Sequence, residues 1–221
     1  DDTQLHIAMR AVNKEVGLNT LAECTAEVKH WYLSNGLQLN ADKSEVLLTG
    51  TDYQLRAASA ITSVAVAGSQ LPVTDEMKTL GVVLDSRLAF DKHVSSVIRS
   101  CNYHAYANRH IQHLLTPGMT QQLACSLILS RLDYCNSLLH GAPIGVVSKL
   151  QRLQNNVARI VTRSDRRADA GPLLRQLHWL PVNYRINFKI ALLTFKTRTT
   201  ATPFYLSTLL SAKRDSGHHL R

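Results

Sequence analysis

The chain has 221 residues, of which 45% are hydrophobic, so it can bury a core and is not expected to be wholly disordered. It contains no uninterrupted apolar run of about 18 residues and does not open with a basic segment followed by an apolar one. We therefore predict neither a membrane span nor a signal peptide. Its four cysteines lack CxxC spacing, which favours free, buried thiols in a reducing compartment and hence an intracellular protein.

The charge is distributed unevenly along the chain. Residues 1–90 carry 7 Lys and Arg against 11 Asp and Glu, a net charge of −4. Residues 91–221 carry 18 against 5, a net charge of +13, and the two parts together give the chain its net +9. A polyanion such as a nucleic acid should therefore bind the second part, unless these cations only solvate the exposed sides of helices.

The first 90 residues are predicted to combine one helix with several short strands. Residues 3–9 are typical of a strand, and apolar residues at helical spacing predict a helix over 18–34 that ends at Ser34-Asn35-Gly36. Three further β-rich runs, at 45–49, 62–67 and 79–84, are separated by glycine- and proline-containing segments. We expect them to form a small antiparallel arrangement.

From Phe90 onward the patterns predict helices instead. Asp91 is a candidate N-cap, and Pro117 occupies the first position of a helix, where proline is favoured. The predicted helices cover 92–113, 117–139, 146–163, 172–178 and 182–198, followed by an amphipathic turn through Leu210. We therefore predict an α+β fold class, with a β-rich part over 1–90, an all-helical bundle over 91–210 and a disordered tail over 211–221.

One predicted helix carries a row of polar and basic side chains. The row consists of Lys149, Arg152, Asn156, Arg159 and Arg163, at spacings of 3, 4, 3 and 4 residues. On a helix these positions share one side, while Leu150, Leu153 and Val157 fall on the adjoining side. Arg166 and Arg167 would extend the row into the next loop. The row could bind phosphates, or it could simply be the solvated side of an amphipathic helix.

Four other residues are interpreted as structural. Trp179 and Tyr184 flank a proline-containing turn and are predicted to pack there rather than to stack on bases. Asp133 and Tyr134 lie in a mostly apolar stretch, so we expect them to satisfy buried hydrogen bonds, because an unpaired buried acid would be costly.

Six ordered segments carry a distinctive pattern, namely DDTQL from Asp1, WYLSNGLQLNADKSE from Trp31, LGVVLD from Leu80 with Leu88-Ala89-Phe90, SRLDYCNSLL from Ser130, LQRLQNNVAR from Leu150 and LHWLPV from Leu177. Together these segments resemble the LINE-type (non-LTR) retrotransposon reverse transcriptases, in particular the Jockey-like branch. The resemblance implies that 1–90 is the rear of the polymerase palm and that 91–210 is the thumb with a C-terminal extension.

The same resemblance implies roles for individual residues. Asp1 and Asp2 would belong to the catalytic motif as metal ligands, Lys43 would lie near the leaving pyrophosphate, and Leu80 with Gly81 would form the primer grip. On chemistry alone, Lys43 could be an ordinary solvated lysine, and Leu80-Gly81 could be a bulge in a strand. Two-metal phosphoryl transfer needs carboxylates on both sides of the ion pair. The resemblance implies that a third metal-binding aspartate and the fingers lie upstream of the segments that this sequence contains. We therefore expect no polymerisation by this chain alone.

The resulting functional prediction is a fragment of an RNA-directed DNA polymerase that holds template and primer. Its implied partners are an RNA template and a DNA primer as an RNA–DNA hybrid, with deoxynucleoside triphosphates and two Mg²⁺ ions serving the parent enzyme in nucleus and cytoplasm. The alternative is a decayed or domesticated fragment that binds nucleic acid or protein without catalysis. A helical scaffold protein is a third possibility, which would require the basic side to be buried in a partner.

Overall fold

The computed structural model describes residues 3–9, 13–40 and 43–210, and it contains both helices and small sheets. This confirms the predicted α+β class. The chain divides into two units between His93 and Val94, close to the predicted boundary after residue 90. The assignment of these units to a palm and a thumb remains a prediction, and the predicted tail 211–221 lies outside the described residues.

The described residues of the first unit up to Asp85 form two helices and five strands. In chain order these are α1 (Lys14–Ser34), β1 (Val46–Leu47), α2 (Asp52–Ala57), β2 (Ser63–Val66), β3 (Ser69–Thr74), β4 (Glu76–Thr79) and β5 (Val82–Asp85). Helix α1 confirms the helix predicted over 18–34. The strand predicted over 3–9 is wrong, because this segment runs without regular secondary structure and pairs with no strand of the described chain.

Strand β3 is the central strand of a three-stranded sheet with the order β1-β3-β2. It runs antiparallel to β2 and parallel to β1. The sequence did not predict β3, since Pro72 lies within it and proline is unfavourable in central strands. The Val73 N–H donates to the Thr62 carbonyl, so the Pro72 nitrogen faces away from β2. On that other side, β1 begins pairing only at Val73, and the missing N–H is therefore not needed.

Helix α2 was also missed, although its sequence contains a recognisable start signal. The Thr51 hydroxyl accepts from the Gln54 N–H, and the Gln54 side chain accepts from the Thr51 N–H at 2.8 Å. This reciprocal arrangement is a capping box, which is typical of a helix N-terminus. The pattern Thr-x-x-Gln could have indicated the helix, but the segment lacks a long apolar periodicity.

The Asp85 carboxylate organises the loop that follows β5. Its oxygens accept from the backbone N–H groups of Arg87 at 3.1 Å, Ala89 at 3.0 Å and Phe90 at 2.8 Å. These bonds hold Leu88 and Phe90 in the left-handed region, with φ of 52° and 63°. Phe90 is thereby turned into the core, where it is only 7% exposed.

Acid should weaken this loop. Partial burial raises the pKa of Asp85, but the backbone N–H donors of Ala89, Phe90 and Arg87 outweigh it and hold the pKa below its ordinary value. The ionised carboxylate therefore stabilises the fold above its unfolded-state pKa, and this contribution is lost as pH falls through the lower folded-state pKa. We expect Asp85→Asn to lower the free energy of unfolding at pH 7 by about 1 kcal/mol, a figure kept small because the side chain is partly exposed.

Urea denaturation between about pH 3 and pH 7 measures this effect. The variant should also lose part of the wild-type decline in stability below about pH 4. Asp75→Asn, at an exposed position of the same unit, is the control and should change stability at pH 7 by less than about 0.5 kcal/mol. Identical pH profiles for wild type and Asp85→Asn would contradict the role of this carboxylate.

The second unit is helical in its described part. Helix α3 (Asp91–Ile111) leads into it, followed by α4 (Pro117–Ala124), α5 (Ser130–Asp133), α6 (Ile144–Val161), α7 (Ala170–Gln176), α8 (Val182–Thr200) and α9 (Phe204–Leu209). The single helix predicted over 117–139 is wrong. A π-helical turn at Cys125–Leu129 separates α4 from α5, and the helix stops at Tyr134, where ψ is 118°. Cys135 then adopts a left-handed φ of 51°.

Helix α6 lies at the centre of the second unit and packs against α4, α7 and α8. Its predicted apolar side is buried, with Leu150 and Leu153 at most 3% exposed and Val157 at 0%. This arrangement gives α6 one side in the core and one side toward solvent. In the described part of the chain, no helix combines the length and apolar character that crossing a lipid bilayer requires.

Candidate nucleic-acid interface

The solvent side of α6 carries the first part of the predicted basic row. Lys149, Arg152 and Asn156 are exposed, and Arg159 is half-buried. The helix contains no acidic residue. The Arg152 Nε donates to the Ser148 carbonyl one turn earlier at 3.4 Å, a long contact that leaves the guanidinium at the surface. Lys149 and Arg152 are therefore placed to contact a phosphate.

Asn156 and Arg159 bind each other and the following loop. The Arg159 Nη1 donates to the Asn156 Oδ1 at 3.1 Å, and its Nε donates to the Ala168 carbonyl at 2.9 Å. These bonds tie the segment between α6 and α7 back onto α6. Asn156 and Arg159 therefore stabilise the fold, and a phosphate could bind only the Arg159 donors that these two bonds leave unused.

Arg163 does not continue the row, which corrects the helix predicted over 146–163. Helix α6 ends at Val161, and Arg163 has a left-handed φ of 54°. Its Nη2 donates to the carbonyls of Gln112 and Leu115, both at 2.7 Å. The guanidinium thus caps the chain end that follows α3, because carbonyls at a helix C-terminus lack partners within the helix.

Arg166 and Arg167 lie in the loop after α6 and are exposed, as predicted. The Arg167 N–H donates to the Asp165 Oδ1 at 2.7 Å, which fixes the turn that carries both arginines. Together with Lys149 and Arg152 they form a set that we call the four outward cations. These four, rather than the seven predicted residues, make up the candidate phosphate-binding set, and all four are exposed.

Two of the resembling segments contact each other through buried amides. Gln154 is 0% exposed, and its Nε2 donates to the Leu180 carbonyl at 2.9 Å. Gln151 donates to the Gln154 Oε1 at 3.1 Å and accepts from the Val182 N–H at 2.8 Å. The LQRLQNNVAR segment therefore holds the LHWLPV turn, and this pairing is structural.

A third segment joins the same network through an ion pair. The Arg185 Nη1 lies 2.6 Å from the Asp133 Oδ2, and its Nε donates to the Leu180 carbonyl at 2.8 Å. Asp133 also accepts from the Asn136 amide at 3.3 Å. Asp133 therefore accepts hydrogen bonds as predicted, but its side chain is 45% exposed, so the prediction that these bonds are buried is wrong. Tyr134 is 53% exposed, so its predicted burial is also wrong.

The two aromatic residues near the LHWLPV turn differ in environment. Trp179 is 6% exposed and packs in the core, as predicted. Tyr184 is 62% exposed, so the prediction that it packs around the turn is wrong. It lies on the first turn of α8, on the side that faces away from the core.

All four cysteines are free thiols, as predicted, but only one is fully buried. Cys101 is 0% exposed, and loss of solvent raises the pKa of its thiol to about 11. Cys24 is exposed, which corrects the expectation that the thiols are buried. A high pKa keeps Cys101 protonated at neutral pH, so it is a packing residue and not a nucleophile.

The predicted primer-grip residues form the tip of a hairpin. Leu80 and Gly81 connect β4 to β5 in two residues, with Thr79 paired to Val82. Their φ values of 47° and 82° are both positive, which is typical of a type I′ turn and is neither a bulge nor a regular strand. Leu80 is 68% exposed. A leucine in this conformation is strained, because its Cβ crowds the backbone.

We expect Leu80→Asn to stabilise the first unit by about 1 kcal/mol, since asparagine accepts left-handed conformations in such turns. If the primer-grip prediction holds, the same variant should weaken binding of an RNA–DNA hybrid. Urea denaturation and fluorescence anisotropy measure the two effects separately. Gly81→Ala, which places a Cβ at positive φ, should instead be destabilising. A loss of stability in Leu80→Asn would contradict the strain argument.

The predicted catalytic residues are only partly covered by the structure. Asp1 and Asp2, predicted as metal ligands, lie outside the described residues. Lys43 is exposed, and its backbone N–H donates to the Asn40 carbonyl at 3.2 Å. Among residues 3–9, 13–40 and 43–210, no cluster of three His, Cys, Asp or Glu side chains could hold a metal ion.

The first unit also contains an open groove of about 610 Å³. Its lining includes the apolar residues Leu55, Ile61 and Val73. It also includes charges of both signs, among them Asp52 and Arg87, which form an ion pair at 2.6 Å. Such a mixed lining gives no preference for a polyanion, so the groove is not part of the candidate interface.

Comparisons with protein-family models, curated proteins and solved structures found no match to this chain.

Proposed function

We propose that this chain is the C-terminal part of a LINE-type reverse transcriptase, comprising the rear of the palm and the thumb, and that its second unit holds the template–primer duplex. The observation that carries the proposal is the solvent side of α6. It presents Lys149 and Arg152 on a helix without acids, while the opposite side is anchored in the core. A rigid basic surface of this kind suits phosphate binding.

Two further observations support the proposal. The second part of the chain is strongly basic, at +13 over residues 91–221, so long-range attraction of a polyanion is directed to the unit that contains α6. Three of the resembling segments also meet in one network around Gln154 and Arg185. Segments that depend on one another for folding are expected to occur together, as they do in this sequence.

The binding mode follows from the chemistry of the four outward cations. Lysine and arginine contact phosphates without reading bases, so binding should be independent of sequence and sensitive to salt. In the parent enzyme, Mg²⁺ ions would supply the Lewis acid for phosphoryl transfer. The role that we propose for this chain is to hold nucleic acid through these cations.

The test is binding of the purified full chain to a fluorescent RNA–DNA hybrid, measured by anisotropy from about 50 mM to about 200 mM NaCl. Magnesium and deoxynucleoside triphosphates are present, so primer extension is read in the same tube. We expect affinity to fall with a log–log slope of roughly −3 to −4, as four phosphate contacts require, without extension. Absence of binding at the lowest salt would contradict the proposal. Binding that is insensitive to salt would also contradict it, because phosphate contacts would then not dominate the interface.

A further inference from the structure

Helix α8 exposes a row of aromatic side chains. Tyr184, Phe188 and Phe195 are 62%, 60% and 66% exposed. They are separated by four and seven residues, so on an α-helix they fall within about 40° of one another around the axis. We call these three residues the aromatic row. Large exposed aromatics aligned in this way are unusual on a surface that contacts only water.

The row lies on the side of α8 opposite its buried residues. Val182, Ile186 and Thr197 are the buried positions of this helix. By helical geometry they lie about 160° to 220° from Tyr184. The other side of α8 therefore faces the core of the second unit, and packing among the described residues of that unit does not explain the aromatic row.

The charge of α8 indicates what kind of ligand the row would take. The helix contains Arg185, Lys189, Lys196 and Arg198 and no acidic residue. Arg185 is paired with Asp133, but the other three are exposed. Lys189 and Lys196 lie about 80° to 140° from the three rings around the helix axis, and Arg198 lies about 40° to 80° from them on the other side. An apolar surface with cations on both sides is complementary to a ligand that offers flat rings and negative charge.

We propose that the aromatic row and the cations on either side of it bind single-stranded nucleic acid, with bases stacked on the rings and phosphates held by Lys189, Lys196 and Arg198. This inference rests on the proposed function, since it adds a strand-binding surface to a unit assigned to hold template and primer. Aromatic stacking combined with backbone cations is the usual chemistry of single-strand binding.

The spacing of the rings favours a single strand over a duplex. Tyr184 and Phe188 are about 6 Å apart along the helix axis, whereas bases stacked in a duplex are about 3.4 Å apart. Neighbouring bases can therefore occupy both rings only if the strand is extended and unstacked. Phe195 lies about 10.5 Å beyond Phe188, which leaves room for one further nucleotide between them. The bases of a duplex are paired in its interior and cannot cover these rings.

The experiment uses the full chain and two fluorescent probes, a 15-nucleotide oligo(dT) and a blunt RNA–DNA hybrid. The double variant Phe188→Ala, Phe195→Ala should lose roughly 100-fold in oligo(dT) affinity, as expected for two stacking contacts. Its affinity for the blunt hybrid should stay within about twofold. The matched control is Tyr53→Ala, which removes an 80% exposed aromatic from the first unit and should change neither affinity. Phe188→Trp, Phe195→Trp keeps the rings and should restore oligo(dT) binding.

The outcomes separate this inference from the proposed function. If the wild-type chain binds the hybrid but not oligo(dT), the aromatic row does not hold a strand and the proposed function stands. If it binds oligo(dT) but not the hybrid, and the binding depends on the row, the inference stands and the proposed function fails. Equal loss of both ligands in the double alanine variant would overturn the inference. So would a concentration-dependent dimer that this variant abolishes, because a second copy would then cover the row.

Discussion

Gln154→Ala should lower the free energy of unfolding of the second unit by about 3 kcal/mol. The side chain is fully buried and bonds both to the Leu180 carbonyl and to the Gln151 amide. Its removal takes one hydrogen bond from the Leu180 carbonyl and one from the Gln151 amide, at about 0.5 to 1.5 kcal/mol each, and also opens a cavity. The Leu180 carbonyl keeps its bond from the Arg185 Nε and the Gln151 amide keeps its bond to the Asn155 Oδ1, so neither group is left without a partner.

Urea denaturation monitored by tryptophan fluorescence measures this loss. The chain has two tryptophans, so a Trp31→Phe background leaves buried Trp179 as the only reporter, and it sits in the turn that Gln154 holds. Gln154→Leu separates the cost of the lost hydrogen bonds from the cost of the cavity, since leucine fills most of the volume but makes no side-chain hydrogen bond. Gln122→Ala, at an exposed position of α4, is the matched control. A change below about 0.5 kcal/mol in Gln154→Ala would show that the network is dispensable.

Neutralising the four outward cations should reduce affinity for the RNA–DNA hybrid by at least roughly 100-fold at about 50 mM salt. The variant is Lys149→Gln, Arg152→Gln, Arg166→Gln, Arg167→Gln. Binding releases about one counterion fewer for each phosphate contact that is lost. The slope of log affinity against log salt concentration should therefore become shallower by roughly 3 to 4. All four side chains are at the surface, and the fold should be little affected.

Anisotropy titrations across the salt series measure both quantities. The control is Arg56→Gln with Lys78→Gln, which removes exposed cations from the first unit. If the control lowers affinity as much per charge as the fourfold variant does, binding depends on net charge and not on this surface. An unchanged slope in the fourfold variant would place the phosphate contacts elsewhere.

Buried positions were predicted best in helices that pack against the core with one side only. The interior positions of α6, including Leu150 and Val157, were recognised from spacing alone, because a helix with one apolar side has one way to bury it. The same spacing misled at Arg163. Its left-handed backbone is accompanied by bonds to carbonyls about 50 residues away, and a local pattern contains no information about such partners.

Strands were harder to predict because their stability comes from partners that are distant in sequence. Residues 3–9 have strand-like composition but no pairing partner in the described chain, and they remain irregular. Strand β3 contains a proline but is stabilised on both sides by β1 and β2. In both cases the arrangement of neighbouring segments outweighed local propensity.

The candidate site was predictable in chemistry but not in detail. A basic row on α6 was foreseen, yet the sequence could not show that Arg159 would bind the Ala168 carbonyl or that Arg163 would leave the helix. Exposure of Tyr184 was also missed. Helix α8 has apolar residues all around its circumference, so its sequence does not reveal which side the rest of the unit covers.

The residues of the network around Leu180 are synthesised at different times. Asp133 and Gln154 leave the ribosome well before Leu180 and Arg185, the residues that supply their partners. During that interval the Gln154 amide cannot be buried without loss of its hydrogen bond to the Leu180 carbonyl, and the Asp133 carboxylate lacks its ion pair with Arg185. A stop codon between positions 162 and 180 would make that interval permanent, leaving a product that retains α6 and its basic side but lacks Leu180 and Arg185.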